Sequence, residues 1–181
     1  MGEHPLVSVV LVNYKGVDDT LTAIEALGQL DWPEGQLEIV VVDNASGDGS
    51  VPKLQSSGHN ITLVESDENL GFAGGCNLGV RHASGEVVAF LNNDAKPDAG
   101  WLRHGVAALH GSPRVGAVAS RVLDWEGRHI DYAGAGLTWY GMGYRPLSGH
   151  PASRKKEQGA GPVLFGTGSA MLVRRDVFDQ L

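Results

Sequence analysis

The chain has 181 residues, of which 42% are hydrophobic and 19% are charged, and its formal net charge is -7 at pH 7. This length and composition predict one globular domain with its own core. The acidic balance argues against a nucleic-acid partner, which favours a basic surface, but allows a nucleotide whose phosphates a metal ion neutralises. The single cysteine, Cys76, excludes an intramolecular disulfide. No apolar run reaches the roughly 18–20 residues of a membrane span.

Strands and helices are predicted to alternate through the first part of the chain. The predicted strands are 7–12, 37–42, 61–64 and 87–91, and the predicted helices are 20–30, about 50–57, about 75–82 and 99–110. Asp18 or Asp19 is expected to cap the first helix, and Asp98 the fourth. Continuous apolar strands with helical crossovers predict an α/β fold with a mostly parallel central sheet, sandwiched by helices.

The second part of the chain has a different pattern. A strand over 115–122 is followed by a stretch rich in glycine and aromatic residues, which predicts irregular loops and short antiparallel strands. Two further short strands are expected at 162–165 and 169–173, and Arg154-Lys155-Lys156 is interpreted as a solvated loop. An amphipathic helix begins at Arg175 without a C-terminal cap, so we expect the domain to continue past Leu181. The domain then divides into a half over 1–112 and a smaller half over 113–181.

Polar residues follow three of the predicted strands. Asn13-Tyr14 follows the first strand, Asp43-Asn44 the second and Asn92-Asn93-Asp94 the fourth. Ligands of open α/β sheets bind at the carboxyl ends of strands, so these residues are expected to line one site. A carboxylate there suits Mg²⁺ or Mn²⁺ held against a diphosphate. The alternative is a set of polar turns whose side chains bond nearby backbone.

Several common catalytic and nucleotide-binding motifs are absent from the sequence. The first strand is not followed by G-x-G-x-x-G, and neither the phosphate-loop pattern G-x-x-x-x-G-K-[ST] nor the hydrolase pattern G-x-S-x-G occurs. The histidines do not show metal-ligand spacing such as H-E-x-x-H. These absences disfavour a dinucleotide fold, a phosphate-loop enzyme, a serine hydrolase and a zinc protease.

Taken together, the motifs resemble the N-terminal part of glycosyltransferase family 2, which has the GT-A (nucleotide-diphospho-sugar transferase) fold. The matching stretches are 7–14, 41–50, 69–77, 90–94 and 166–175. The pattern is most similar to bacterial rhamnosyltransferase-like members that build cell-surface polysaccharide. The resemblance implies inverting transfer of a sugar from a UDP- or dTDP-sugar to an acceptor hydroxyl. It makes 1–112 the nucleotide-binding half and 113–181 the start of the acceptor-binding half of one glycosyltransferase domain. It implies a saccharide or lipid-linked saccharide acceptor in the cytoplasm, and allows peripheral association with the inner face of the membrane.

The donor nucleotide is expected to contact residues from three segments of the chain. The Asp43 carboxylate would accept the imide N–H of uracil or thymine, its alternative role being to cap the turn over 45–47. Tyr14 would lie against the base face. The stretch 69–75 would let backbone approach the nucleotide, or would simply open a helix. The predicted donor-binding residues are Asn13, Tyr14, Asp43, Asn69, Gly71, Gly74, Asn77 and Asn93.

The stretch Asn92-Asn93-Asp94 occupies the D-x-D position of the family. The resemblance therefore implies that Asp94 binds the divalent metal and that Asn93 lies near the ribose. The general base of the family belongs to an acidic motif that would follow Leu181, and Asp131, Asp176 and Asp179 do not match it. Two other interpretations stay open: a nucleotidyltransferase-like enzyme, and a non-catalytic binding domain whose partner surface is the stretch 132–144.

Overall fold

A computed structural model describes residues 4–154 and 161–181. Its centre is a six-stranded sheet in the order β3-β2-β1-β4-β10-β5. The first part of the chain supplies four parallel strands and four helices, in the alternation that the sequence predicts. These elements are β1 (Val7–Asn13), α1 (Val17–Leu27), β2 (Leu37–Asp43), α2 (Ser50–Gln55), β3 (Thr62–Glu65), α3 (Gly71–Arg81), β4 (Val87–Leu91) and α4 (Trp101–His110).

The sheet is buried on both faces, because alternate residues of each central strand pack on opposite sides. Val9 and Leu11 of β1 join a core cluster that includes residues of α1 and α4. Val10 and Val12 join a second cluster, which includes Cys76 and Val80 of α3. The predicted parallel sheet with helices on both sides is therefore confirmed.

The register of the sheet brings the predicted polar strand ends together. Asn13, the last residue of β1, pairs with Asp43, the last residue of β2. On the other side of β1, Val7 pairs with Val87 and Val10 with Phe90, so the same offset places Asn13 level with Asn93. Three strands thus end at one edge, where their polar residues face the same space.

The second part of the chain adds short strands and one longer one. Strand β10 pairs antiparallel with both β4 and β5 and so extends the central sheet. Two small antiparallel pairs lie outside that sheet, β6 with β7 and β8 with β9. The elements are β5 (Ala117–Ala119), β6 (Val122–Leu123), β7 (Ile130–Tyr132), β8 (Gly136–Leu137), β9 (Gly143–Tyr144), β10 (Ala170–Arg174) and α5 (Arg175–Phe178).

Several expectations for the second part need correction or fall outside the described residues. The single strand predicted over 115–122 is divided into β5 and β6, and 162–165 is irregular backbone rather than a strand. The final helix spans four residues, Arg175–Phe178. Arg154 is exposed, as expected of a solvated loop, whereas Lys155 and Lys156 lie outside the described residues.

The helix starts also differ from prediction. Helix α1 begins after Gly16, and Asp18 and Asp19 lie in its first turn without capping it. Helix α4 begins after Gly100, and the Asp98 side chain instead accepts the Gly100 backbone N–H at 3.0 Å. In the described residues, no helix combines the length and the apolar character needed to cross a membrane.

Candidate functional site

A network of buried polar side chains occupies the edge where β1, β2 and β4 end. The Asn13 Nδ2 group donates to Asp43 Oδ1 at 2.7 Å and to Ser46 Oγ at 3.1 Å. Asn13, Asp43 and Ser46 are each at most 3% exposed. A buried polar group without a hydrogen-bond partner costs free energy, so these hydrogen bonds hold the strand ends in one arrangement.

The Asp43 carboxylate makes most of its hydrogen bonds within its own turn. Its Oδ1 atom accepts from Asn13 and from the Ser46 hydroxyl at 2.6 Å, and its Oδ2 atom accepts the Ser46 backbone N–H at 3.0 Å. The turn-capping role that the sequence left as an alternative is therefore present. A carboxylate offers about four acceptor positions, so one position remains, on Oδ2.

The network continues from β1 through α1 to the segment after β4. Thr20 of α1 is fully buried, and its hydroxyl donates to Asn13 Oδ1 at 2.9 Å. Asn93 Nδ2 in turn donates to Thr20 Oγ1 at 3.2 Å. A Cβ on Gly16 would lie 2.9 Å from Asn93 Nδ2, so a larger residue here would displace the Asn93 amide from this position. Asn13 and Asn93 are thus part of one network, although the sequence placed them in separate motifs.

Asn44 fixes the glycine-rich segment against the end of β2. Its side chain donates to Asn69 Oδ1 at 3.0 Å and to the Gly71 carbonyl at 3.1 Å, and accepts from the Leu70 N–H at 2.9 Å. The sequence places Asn44 at this edge together with Asp43, but Asn44 is absent from the predicted donor-binding residues. The Asn69 side chain is engaged by this contact and by the Gly71 N–H.

The glycine-rich segment is the start of a helix rather than a loop. Helix α3 begins at Gly71, whose φ of +70° suits glycine. A Cβ on Gly74 would lie 2.7 Å from the Leu70 Cβ, so this turn is tight. Asn77 lies further along the same helix and is exposed. Among the described residues, its side chain does not hydrogen-bond to any member of the network.

Tyr14 lies at the rim of the network with 47% of its surface exposed. The Lys15 ammonium group is 5.2 Å from the centre of its ring, within the range of a cation–π contact. The exposed part of the Tyr14 ring is large enough to stack on a planar ligand.

Asp94 is exposed and lines a cleft of about 900 Å³. The cleft lies between the end of β4, the start of α4 and the segment from β5 to β7, and Trp101, Arg121 and Trp125 also line it. Among residues 4–154 and 161–181, no three His, Cys, Asp or Glu side chains form a metal-binding group. Mg²⁺ commonly keeps several waters and takes one or two carboxylates plus substrate phosphates, so one carboxylate at this rim fits such an ion.

The chain belongs to glycosyl transferase family 2, because the sequence profile of that family matches residues 8–181. The fold is the GT-A fold. The mannosyltransferase PcManGT from Pyrobaculum calidifontis, solved in complex with GDP-Man and Mn²⁺, superposes with a TM-score of 0.69 at 25% identity. That superposition covers 98% of this chain and 47% of PcManGT.

Two curated relatives have similar sequences. The low-salt glycan biosynthesis hexosyltransferase Agl10 of Haloferax volcanii is 29% identical, over 96% of this chain and 54% of Agl10. The O-antigen biosynthesis protein RfbC of Myxococcus xanthus is 30% identical, over 98% of this chain and 14% of RfbC. The chain therefore spans about half or less of the length of these relatives.

Proposed function

We propose that this chain binds the nucleoside diphosphate of a sugar donor at the edge formed by β1, β2 and β4, for transfer of the sugar to an acceptor hydroxyl. The observation that carries the proposal is the buried Asn13–Asp43 pair at this edge, which hydrogen bonds through Thr20 link to Asn93. Asn93 directly precedes the exposed Asp94, which lines the cleft. Family membership and the GT-A fold support it, and so does PcManGT, whose complex contains a nucleotide sugar and a divalent metal.

The nucleobase would bind at Asp43 and Tyr14. Since the open position on Asp43 Oδ2 can only accept, it selects a base with an N–H on the facing edge. Uracil and thymine offer an imide N–H, which favours a UDP- or dTDP-sugar. Guanine also offers N–H groups, and PcManGT contains GDP-Man. Cytosine presents an acceptor nitrogen at the equivalent position and would be disfavoured.

The ribose and diphosphate would follow the edge from β1 to β4. Asn93 would lie near the ribose, and backbone at Asn69, Gly71, Gly74 and Asn77 would approach the nucleotide. Asp94 would hold Mg²⁺ or Mn²⁺ together with diphosphate oxygens. The ion would stabilise the negative charge that develops on the leaving diphosphate.

The acceptor side is proposed at a coarser level. We expect a saccharide or lipid-linked saccharide acceptor in the synthesis of cell-surface polysaccharide, an expectation that the relative named for O-antigen biosynthesis supports. An inverting transfer needs a general base for the acceptor hydroxyl. Asp131 lines the cleft but forms an ion pair with Arg145 at 2.7 Å, and we do not assign it that role. The cytoplasm and the inner face of the membrane are the expected locations.

Calorimetric titration with four nucleoside diphosphates tests this proposal. In the presence of Mn²⁺, UDP or dTDP should bind at least about tenfold more tightly than CDP, because CDP leaves the Asp43 acceptor facing another acceptor. Tight binding of GDP would also agree with the proposal, because guanine can donate an N–H to Asp43. Asp43→Asn should remove this discrimination, with Asp48→Asn as an exposed control in the next turn. If none of the four nucleotides binds, the proposed function is wrong.

A further inference from the structure

We propose that Thr20 is a positioning residue that couples the base end of the donor site to its ribose end, at Asn93. This inference rests on the proposed function. Thr20 lies on α1, outside all the motifs that carry the family resemblance, yet its side chain is fully buried between two parts of the site. Its hydroxyl accepts from Asn93 on one side and donates to Asn13 on the other.

The Thr20 hydroxyl is the middle of a directional chain of hydrogen bonds. Asn93 Nδ2 donates to Thr20 Oγ1 at 3.2 Å, Thr20 Oγ1 donates to Asn13 Oδ1 at 2.9 Å, and Asn13 Nδ2 donates to Asp43 Oδ1 at 2.7 Å. The chain joins the segment after β4 to the ends of β1 and β2. Because each group has one orientation that satisfies its neighbours, the side chains are fixed together rather than one by one.

The Asn13 side chain depends most directly on Thr20. Asn13 is fully buried, and its Oδ1 atom accepts only from Thr20 among the described residues. This bond directs the Nδ2 group toward Asp43, so the Asp43 carboxylate keeps Oδ2 as its open acceptor. Without the hydroxyl, the Asn13 amide would lose the partner that sets its orientation.

The Asn93 side chain depends on Thr20 from the other direction. Its alternative acceptor, the Gly16 carbonyl, lies at 3.4 Å and makes the weaker contact. The Thr20 hydroxyl also lies 3.0 Å from the same carbonyl, the local acceptor available to any threonine in a helix. The hydroxyl has one proton, and the Asn13 Oδ1 atom competes for it at the shorter distance of 2.9 Å. A merely structural role would involve only this local bond, whereas a positioning role requires the bonds to Asn13 and Asn93.

Thr22 provides a matched control on the same helix. Its hydroxyl donates to the Asp18 carbonyl at 3.0 Å, the same local bond, but its side chain is exposed. Thr20→Val and Thr22→Val therefore remove the same group from the same helix, and only the first removes a link between the strand ends. Thr20→Ser retains the hydroxyl and should restore the wild-type behaviour.

The test measures the affinity of the full chain for UDP with Mn²⁺. Thr20→Val should bind UDP about tenfold more weakly than wild type, whereas Thr20→Ser and Thr22→Val should stay within about twofold. If Thr20→Val binds like wild type, or if Thr20→Ser is as weak as Thr20→Val, the positioning role is wrong. Absence of binding by the wild type to all four nucleotides would instead overturn the proposed function, and the positioning role with it.

A second variant keeps the proposal testable if Thr20→Val does not fold. Asn93 is only partly buried, so Asn93→Ala should fold while removing the donor at the far end of the chain of bonds. Through Thr20, it should shift the side-chain amide resonances of Asn13 in a ¹⁵N spectrum, whereas Thr22→Val should not. Unchanged Asn13 resonances in Asn93→Ala would contradict the coupling.

Discussion

The two halves of this chain differ in strand length and in how much of their apolar surface is buried. Residues 4–112 form four parallel strands of a sheet that is buried on both faces, and the polar residues that end or follow three of them meet at one edge. In the described residues after 112, most strands have only two or three residues, and most of the large exposed apolar side chains of the chain lie there. The proposed donor site is therefore held by the core, whereas the second half is attached to the core mainly by β10.

Strand β10 is the exception within the second half. Its Leu172 side chain is fully buried, and a Cβ on Gly105 of α4 would lie 2.7 Å from it. Leu172→Ala should therefore lower the free energy of unfolding by about 2–5 kcal/mol, like a substitution in the core of the first half. Urea denaturation of the variant measures this loss.

Trp139→Ala is the control for that prediction, because Trp139 is 96% exposed in the loop between β8 and β9. Its free energy of unfolding should stay within about 0.5 kcal/mol of wild type. Equal losses of unfolding free energy in Leu172→Ala and Trp139→Ala would contradict the distinction between the buried strand β10 and the exposed loop.

The packing of α3 on the sheet gives the next largest effect. A Cβ on Gly79 would lie 2.5 Å from Val10 and 3.1 Å from Val42. Valine side chains have restricted rotamers, so they cannot easily move aside. Gly79→Ala should cost about 1–3 kcal/mol of overpacking, reduced by about 1 kcal/mol of helix propensity. Thermal unfolding should show Gly79→Ala below wild type, with the exposed Asn77→Ala on the same helix nearly unchanged.

Burial raises the pKa of the Cys76 thiol from 9.0 to about 12. Because only the unfolded state ionises this thiol above pH 9.0, its contribution to stability is complete below that value and is lost as the pH rises toward 12. The free energy of unfolding of Cys76→Ala should therefore fall less steeply with pH in this alkaline range than that of wild type. In the folded protein at about pH 8, a thiol-specific reagent should react with Cys76 far more slowly than after denaturation. Equal rates in the two states would contradict this assignment.

The smallest effect belongs to a turn in the second half. Hydrogen bonding from the His129 backbone N–H, and then from the His129 side chain, lowers the pKa of Asp124 from 3.8. The stability that these bonds supply is present above pH 3.8 and is lost as the pH falls through the lower value of the folded state. An NMR titration, assigned with Asp124→Asn, should give a pKa below 3.8, and a value at or above it would contradict the turn geometry.

The strands of the first half could be predicted closely from the sequence. The predicted strand 87–91 coincides with β4, and the ends of β1 and β2 differ by one residue. Each of these three strands is a mainly apolar run that a polar residue ends or directly follows, so a local pattern fixes its C-terminal limit. The helix starts were less predictable, because α1 and α4 lack a side-chain cap.

The second half was less predictable because its structure depends on contacts between distant segments. The predicted strand at 115–122 divides near Ser120, whose N–H donates to Ala170 of β10 and whose hydroxyl accepts from Trp101. The apolar run 162–165 does not form a strand, and Val163 and Leu164 are exposed. An apolar run alone does not indicate whether a partner strand is available.

The candidate site was predicted only in part, because some of its hydrogen bonds also join segments that are distant in the sequence. The strand ends at Asn13, Asp43 and Asn93 follow from the alternation of strands and helices. Thr20 belongs to a helix that crosses back over these ends, and only the tertiary structure shows its bonds. The sequence does contain one signal, because Thr20 shares the buried face of α1 with Ile24 and Leu27. A polar residue at such a position indicates a hydrogen-bonded role in the core.

The proposed function requires that the first half forms a donor site in which Asp94 holds a metal against the diphosphate. It is tested most directly by measuring UDP affinity at increasing Mn²⁺ concentration for wild type, Asp94→Ala and Asp98→Ala. Asp98 lines the same cleft and is also exposed, but its carboxylate bonds the Gly100 N–H. Mn²⁺ should strengthen UDP binding to wild type and Asp98→Ala by about tenfold or more, and should leave Asp94→Ala unchanged. An undiminished Mn²⁺ effect in Asp94→Ala would contradict the claim.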